Sequence, residues 1–441
     1  MNYPKVLIIG EQFDRRSGSG ITLSNLFWGW NINNIAVASS EIFSPDVSVC
    51  NKYYYLGSQE IKWKFPFSLK LLTLKKETGL KADLLQNIQT IQPKSSENQL
   101  KKIQNKVITI SGILHRRREI IISHEFRKWV NDFGPELIYT QLSSLELIEF
   151  VSKFQKEFNL PLVIHIMDDW PKTIVDGQKF IFKYYWKALI GKKLNNLFNR
   201  ADLLLSISDA MSDEYKNRYS LNFIPFHNPI DLKHWSSGVS KKYDRKGVFR
   251  ILYAGRIGNG LRNSLFEVAS AISELHENDN LQIELQIQAT SDDNILNKLK
   301  KFNFVKINPP VEYTDLPKIF SAADLLLLPN DFDEKSINFL KYSMPTKASE
   351  YMASGSPILL YSHPDTAVTK HAIKNNWAFV VAEHSIPKLK AAIKQLYDEM
   401  ELRMNVGINA QKFAFEHYDS SIVREYFRDV LYNASRSESI R

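Results

Sequence analysis

Lys347 and Glu350 stand three residues apart in a stretch that opens on Pro345 and runs through Gly355 to Pro357. Pro345 pre-sets the backbone for a helix start and Gly355 suits its end. At helical spacing the two side chains share one face near the helix's amino-terminal end. An ammonium and a carboxylate so placed can address one ligand together. Phosphate calls for cationic donors and a positive helix end, whereas the two hydroxyls of a ribose are gripped by a carboxylate that accepts two hydrogen bonds. A nucleoside diphosphate carries both groups. A surface ion pair is the plainer alternative.

Three further clusters carry chemistry-bearing side chains. His165, Asp168 and Asp169 follow an apolar run, so they emerge at the carboxyl end of a strand, where α/β folds bind ligands. A carboxylate there also serves as a plain helix cap. Gly18, Ser19 and Gly20 lack the third glycine of a dinucleotide fingerprint, which argues against an oxidoreductase and for a loop that approaches phosphate or sugar closely. Asp331 and Asp333 have the spacing of metal-binding aspartates, but they follow a strand-like run of a different fold type, and no metal is expected.

The elements that must position these residues alternate. Strand-like apolar runs occur at 5–10, 136–140, 161–166 and 202–206, and again at 249–254, 282–288, 324–328, 357–361 and 378–381, with helical spacing between them. Such alternation predicts parallel sheets. A polar, basic stretch at 236–246 reads as a linker. The expected organisation is a first α/β domain over 1–235, a second over 247–419, and a helix at 420–441 that packs back on the first. Two such domains are expected to face one another across a ligand-binding cleft.

Composition narrows the class. The 441 residues hold 57 Lys and Arg against 48 Asp and Glu, a net charge of +9, which favours anionic partners. Nucleic acid is not among the expected ones, because no recognised nucleic-acid module accompanies the charge. Cys50 is the only cysteine, so no intramolecular disulfide forms and a reducing, cytoplasmic setting is expected. The run Val6 to Ile9 is too short for a signal peptide and reads as a first strand.

Residues 51–130 interrupt the rhythm of the first half. Lys62, Trp63, Lys64, Phe65, Phe67, Lys70, Leu71, Leu72, Leu74, Lys75 and Lys76 mix basic, aromatic and aliphatic groups as an interfacial segment does, and Arg116, Arg117 and Arg118 follow another apolar stretch. An ordinary helix pair with a solvated basic face is the plainer reading, and peripheral contact with an anionic membrane the sharper one.

The stretch around Lys347 and Glu350 resembles the carboxy-terminal donor motif of the group 1 (family 4-like) glycosyltransferases, retaining enzymes of the GT-B fold. Tyr253 to Ile257 resembles that family's glycine-arginine loop, residues 316–329 its helix and strand before the donor loop, and residues 201–208 with 227–231 its domain-closing segment. The resemblance covers most of the chain from about residue 200 onward. It implies two Rossmann-like α/β/α domains, the second holding a nucleotide-diphosphate sugar as substrate, with no cofactor. Arg256 inherits contact with the diphosphate and Glu350 with the ribose. Asn338, Phe339 and Leu340 would form a loop whose backbone amides approach diphosphate and sugar, and Val311 to Tyr313 would lie near the base. His165 and Asp168 would orient the sugar or the incoming hydroxyl, with Asp169 as the neighbouring alternative.

Two positions depart from the family. Leu261 stands where a lysine follows the arginine, leaving Arg262 or Lys347 to take its part, and Tyr342 stands where a second glutamate contacts the transferred sugar. The expected activity is sugar transfer to an acceptor hydroxyl, the acceptor a glycan or a lipid-linked molecule at the inner face of the membrane. A GT-B sugar-nucleotide epimerase and a non-catalytic sugar-nucleotide or glycan-binding protein are the rivals.

Overall fold

The computed structural model describes residues 3–15, 17–42, 45–64, 67, 79–80, 111–175, 178, 180–236, 241–244, 247–258, 260–289, 294–309 and 311–437. The chain divides into two units, one of Met1–Phe226 with Arg424–Arg441 and one of His227–Val423.

The first unit is built on a sheet of eight strands: β1 (Val6–Ile9), β2 (Ile35–Ser39), β3 (Tyr53–Tyr55), β5 (Gly79–Leu80), β7 (Leu137–Thr140), β8 (Leu162–Ile166), β9 (Leu203–Ser206) and β10 (Ile224–Pro225). Between them, β4 (Ile61–Trp63) and β6 (Arg118–Ile120) form a separate antiparallel ribbon. The large sheet runs β10-β9-β8-β7-β1-β2-β3-β5, parallel but for the β3–β5 pair. β1, β2, β7 and β8 are buried at every position, the pattern of strands covered on both faces. Serines manage the turns into helices: Ser17 after β1, Ser144 after β7 and Ser208 after β9 each accept a first-turn amide. Within this unit the last helix packs Phe427 on Phe27, Tyr139 and Phe226, while Arg424 donates to the carbonyl of Asn25.

The second unit has a six-stranded parallel sheet of β11 (Phe249–Ala254), β12 (Ile283–Gln288), β13 (Val305–Asn308), β14 (Leu325–Pro329), β15 (Ile358–Tyr361) and β16 (Phe379–Val381), ordered β13-β12-β11-β14-β15-β16. Leu and Ile on the two faces of β11 and β14 enter two different apolar clusters, one closed by the helix Arg262–Asp279, the other by Thr346–Ala353. In each unit the strand order reverses beside the first strand, between β1 and β7 and between β11 and β14. The loops leaving the carboxyl ends of those strands diverge there, which is where such sheets bind ligands.

Several expectations change. β2, β3, β10 and β13 were not anticipated from the pattern. The described part of the basic aromatic stretch is a strand and not a helix: β4 holds Lys62 and Trp63, and Lys64 pairs with Glu119. Phe65 and Lys70 to Lys76 lie outside the described residues. Arg116, Arg117 and Arg118 spend their charge on Glu149 and Glu146. The described residues of the expected linker are fastened to the second unit. Lys241 gives its ammonium to the carbonyls of Ser321 and Ala323, and Tyr243 donates to that of Gly355.

Candidate functional site

Lys347 lies in the first turn of the helix Thr346–Ala353, which follows Pro345 and gives way to Gly355 at φ +73°. Its ammonium crosses to the end of β11, donating to Tyr253 Oη at 3.1 Å and sitting 4.2 Å from the centre of that ring. Tyr253 in turn donates its hydroxyl proton to the carbonyl of Arg256 at 2.8 Å. One phenol thus ties the lysine to the loop that carries the arginine. The crossing needs Gly255, whose φ is +130° and whose missing side chain is the space that Lys347 Nζ occupies.

Burial pushes the Lys347 amine down to about 7, with the nearby Glu350 carboxylate opposing the shift. Glu350 is itself buried on the same helix. A buried amine in the first turn of a helix is favourably placed to meet an anionic group. Arg256 and Arg262 are exposed on the same loop, Arg262 at the start of the helix Arg262–Asp279.

A second tie holds the two loops of the switch point together. Asp331, after β14, donates its backbone N–H to the carbonyl of Gly260 at 2.7 Å and accepts the amide of Ser264 at 2.8 Å, while Ser264 Oγ donates to the carbonyl of Asn330 at 2.7 Å. Asp331 therefore caps a helix from the neighbouring strand. Asp333 accepts from the amide and hydroxyl of Ser336, capping the helix Glu334–Leu340. Both carboxylates have structural work, and no cluster of three metal-binding side chains occurs among the described residues. The roles of Ser264, Tyr253 and Tyr351, which accepts the Ala254 amide at 2.8 Å, could not be read from the sequence because they rest on partners 67, 94 and 97 positions away.

Asn338, Phe339 and Leu340 correct the expected loop. They form the end of the helix Glu334–Leu340, where backbone amides bond within the helix. Phe339 is exposed, and Leu340 packs over Gly260. Val311 is exposed, and the Tyr313 ring stacks on His234 at 5.3 Å. Tyr342 is half-buried under the Lys341 ammonium.

In the first unit, Gly18, Ser19 and Gly20 are not a loop. They are the first turn of the helix Gly18–Phe27, whose cap Ser17 accepts the Gly20 amide and donates to Asp14. Gly20 lies so close to Asp14 that a side chain would collide with the carboxylate. His165 is fully buried inside β8, its Nδ1 sharing a 2.6 Å hydrogen bond with Tyr139, and burial pushes it down to about 4. Asp169 is buried in a two-pronged ion pair with Arg218, 2.7 and 3.0 Å, and accepts the Tyr215 hydroxyl. Asp168 is exposed just beyond β8. His165 lies within β8 and the two aspartates follow it, and the three meet different environments.

Comparison with known proteins places this geometry. Residues 248–399, within the second unit, match the family model described as Glycosyl transferases group 1. The fold of the entire chain is similar to a sucrose-phosphate synthase from Thermosynechococcus elongatus, with a TM-score of 0.60, 13% identity, and 96% and 97% of the two chains covered. It is equally similar to HepE of Anabaena, solved with UDP and glucose, at 0.60 and 13%, over 98% and 100%. A glycosyltransferase from Rickettsia africae superposes at 0.61 with 10% identity, over 99% and 100%. The sequence has no match among the curated proteins. Residues 248–399 thus match the group 1 glycosyltransferase family, and the two Rossmann-like units have the GT-B fold of these solved structures.

Proposed function

We propose that the protein transfers a hexose from a nucleotide-diphosphate sugar, held by the second unit, to a hydroxyl of a glycan or lipid-linked acceptor, without a divalent metal and with retention at the sugar. The observation that carries the donor reading is the Lys347 ammonium drawn over Gly255 to the end of β11 and held there by Tyr253. Negative charge develops on the departing diphosphate in the transition state, so fixed cations at that point accelerate transfer. Lys347, Arg256 and Arg262 supply them, and their number makes a metal unnecessary. Glu350 grips the ribose diol. A uridine nucleotide is the first donor to test, since HepE, of the same fold, was solved with UDP and with UDP-glucose.

The acceptor reading places His165 and Asp168 in the first unit near the incoming hydroxyl. Asp168 is the stronger of the two, because its side chain is exposed, whereas His165 is fully enclosed and burial pushes its imidazole down to about 4. Work at the anionic inner face of a membrane fits the positive charge of the chain.

A thermal-shift and turnover screen in chelator, with UDP-, GDP-, ADP- and TDP-sugars and a Glu350→Ala control, tests the donor site. Stabilisation by one nucleotide series, lost in the control, supports it. Release of free nucleoside diphosphate only when acceptor is present separates a transferase from an epimerase. Binding that ignores Glu350 sinks the reading.

A further inference from the structure

We propose that the amino-terminal end of the helix Phe180–Phe198, in the first unit, is the surface that docks the protein on an anionic lipid bilayer. The idea rests on the reading of a membrane-surface acceptor and gives that contact a place, one that lies outside the basic aromatic stretch at 62–76.

The helix is anchored along one line. Trp186, Ile190, Leu194, Leu197 and Phe198 are buried, and Trp186 donates its indole N–H to the carbonyl of Ser111 at 2.7 Å. Ahead of Trp186 no residue of the helix is covered. Phe180 is 72% exposed, Ile181 78%, Phe182 42%, Tyr184 60% and Tyr185 51%. Five large apolar side chains within six residues form a contiguous patch, which a soluble surface rarely carries without a partner.

The arrangement of these residues selects the partner. At about 100° per residue, Phe180, Ile181, Phe182, Tyr184 and Tyr185 sweep an arc of roughly 200° whose middle points away from the anchoring line. Farther along that outward side the composition changes to Lys192, Asn195 and Asn196, all exposed. The outward face therefore passes from aromatic to polar along the axis, with Lys192 its one cation there. A helix whose apolar end enters the acyl boundary and whose lysines stay at the headgroups has this gradient, and tyrosine rings suit the level between. The whole helix holds Lys183, Lys187, Lys192 and Lys193 and not one acidic residue. Lys193 is partly offset by Glu149 at 3.3 Å. Such a charge matches an anionic surface, and it opposes pairing with a second copy of the same helix, which would bring lysines together.

Purified full-length protein would be sedimented with vesicles of phosphatidylcholine alone and of phosphatidylcholine with phosphatidylglycerol in equal parts, without sugar nucleotide. The expected result is binding to the mixed vesicles that weakens with salt. The triple variant Phe180→Ser, Ile181→Ser, Tyr184→Ser should melt at the same temperature and bind about tenfold or more weakly. The pair Lys183→Gln, Lys187→Gln should lose much of the preference for phosphatidylglycerol. If the unaltered protein binds neither vesicle, membrane contact itself fails and the inference with it. If it binds and the triple variant binds equally, the contact stands and this helix is not its place. Concentration-dependent self-association that the triple variant abolishes would assign the patch to a second copy and overturn the proposal. None of these outcomes bears on donor binding, which the nucleotide screen reads separately.

Discussion

In the second unit the loops at the switch point are tied together by hydrogen bonds of Tyr253, Ser264 and Asp331, whereas in the first unit the carboxylate of Asp169 just after β8 is taken up by an ion pair with Arg218. Tyr253, Ser264 and Asp331 bind the loops after β11 and β14, and Lys347, Arg256 and Arg262 lie on or beside those loops. After β8, Asp169 is neutralised by Arg218, and His165 is buried against Tyr139. The same topology thus gathers Lys347, Arg256 and Arg262 near the switch point of the second unit, and in the first unit it leaves Asp168 exposed beyond β8. Three strand-end positions that look equivalent in sequence differ in what their side chains are free to do.

The sharpest test of that contrast is Lys347→Ala. Loss of a positioned cation at the leaving diphosphate should lower kcat/KM on the order of a hundredfold or more, with the melting temperature nearly unchanged or raised, because a desolvated amine is removed. A loss confined to KM would reduce Lys347 to a uniform binding contact.

Asp169→Asn should do the reverse. Removing one partner of a buried, two-pronged pair leaves Arg218 uncompensated and costs about 3 kcal/mol, seen as a lower denaturation midpoint with unchanged slope. Specific activity of the folded fraction should change far less than for Lys347→Ala. A collapse of activity at unchanged stability would move Asp169 from platform to chemistry.

The smallest effect expected is on pH dependence. With the Lys347 amine at about 7 in the empty site, the protonated form is the one a diphosphate selects, so binding raises its pKa. UDP affinity should be level below pH 7 and fall as the pH rises past it, by up to about tenfold per unit. Calorimetry at pH 8 in two buffers of different ionisation heat should show proton uptake on binding. No uptake would mean that the amine is charged without ligand. His165, held neutral down to about pH 4, should contribute no limb to the rate profile near pH 6.

The helix Thr346–Ala353 was legible because its signals are local: Pro345 precedes it, Gly355 follows it, and Lys347 and Glu350 are neighbours on one face whatever surrounds them. The same holds for most strands, whose apolar runs are bounded by turn residues. β3, with three consecutive tyrosines, and β13, with a lysine and an asparagine among its four residues, carry no such bounded run, and pairing with β2 and β12 defines them instead. Residues 338–340 were read as a loop because one sequence motif cannot tell free amides from amides at the end of a short helix capped by Asp333. Likewise Gly18 to Gly20 look like loop residues until Ser17 is seen to cap them.

What the amino-acid sequence determined by itself was therefore periodicity and local pairing: two α/β units, the helix Thr346–Ala353, the kinds of groups that meet a nucleoside diphosphate. Tertiary structure alone decided which of those groups are available. Tyr253 reaches Lys347 across 94 positions and Arg218 reaches Asp169 across 49, and each contact depends on parallel strands placed side by side through crossover helices. Hydrogen bonds and ion pairs of that range fix protonation and orientation through burial, a property of the folded sheet that no short stretch of chain contains.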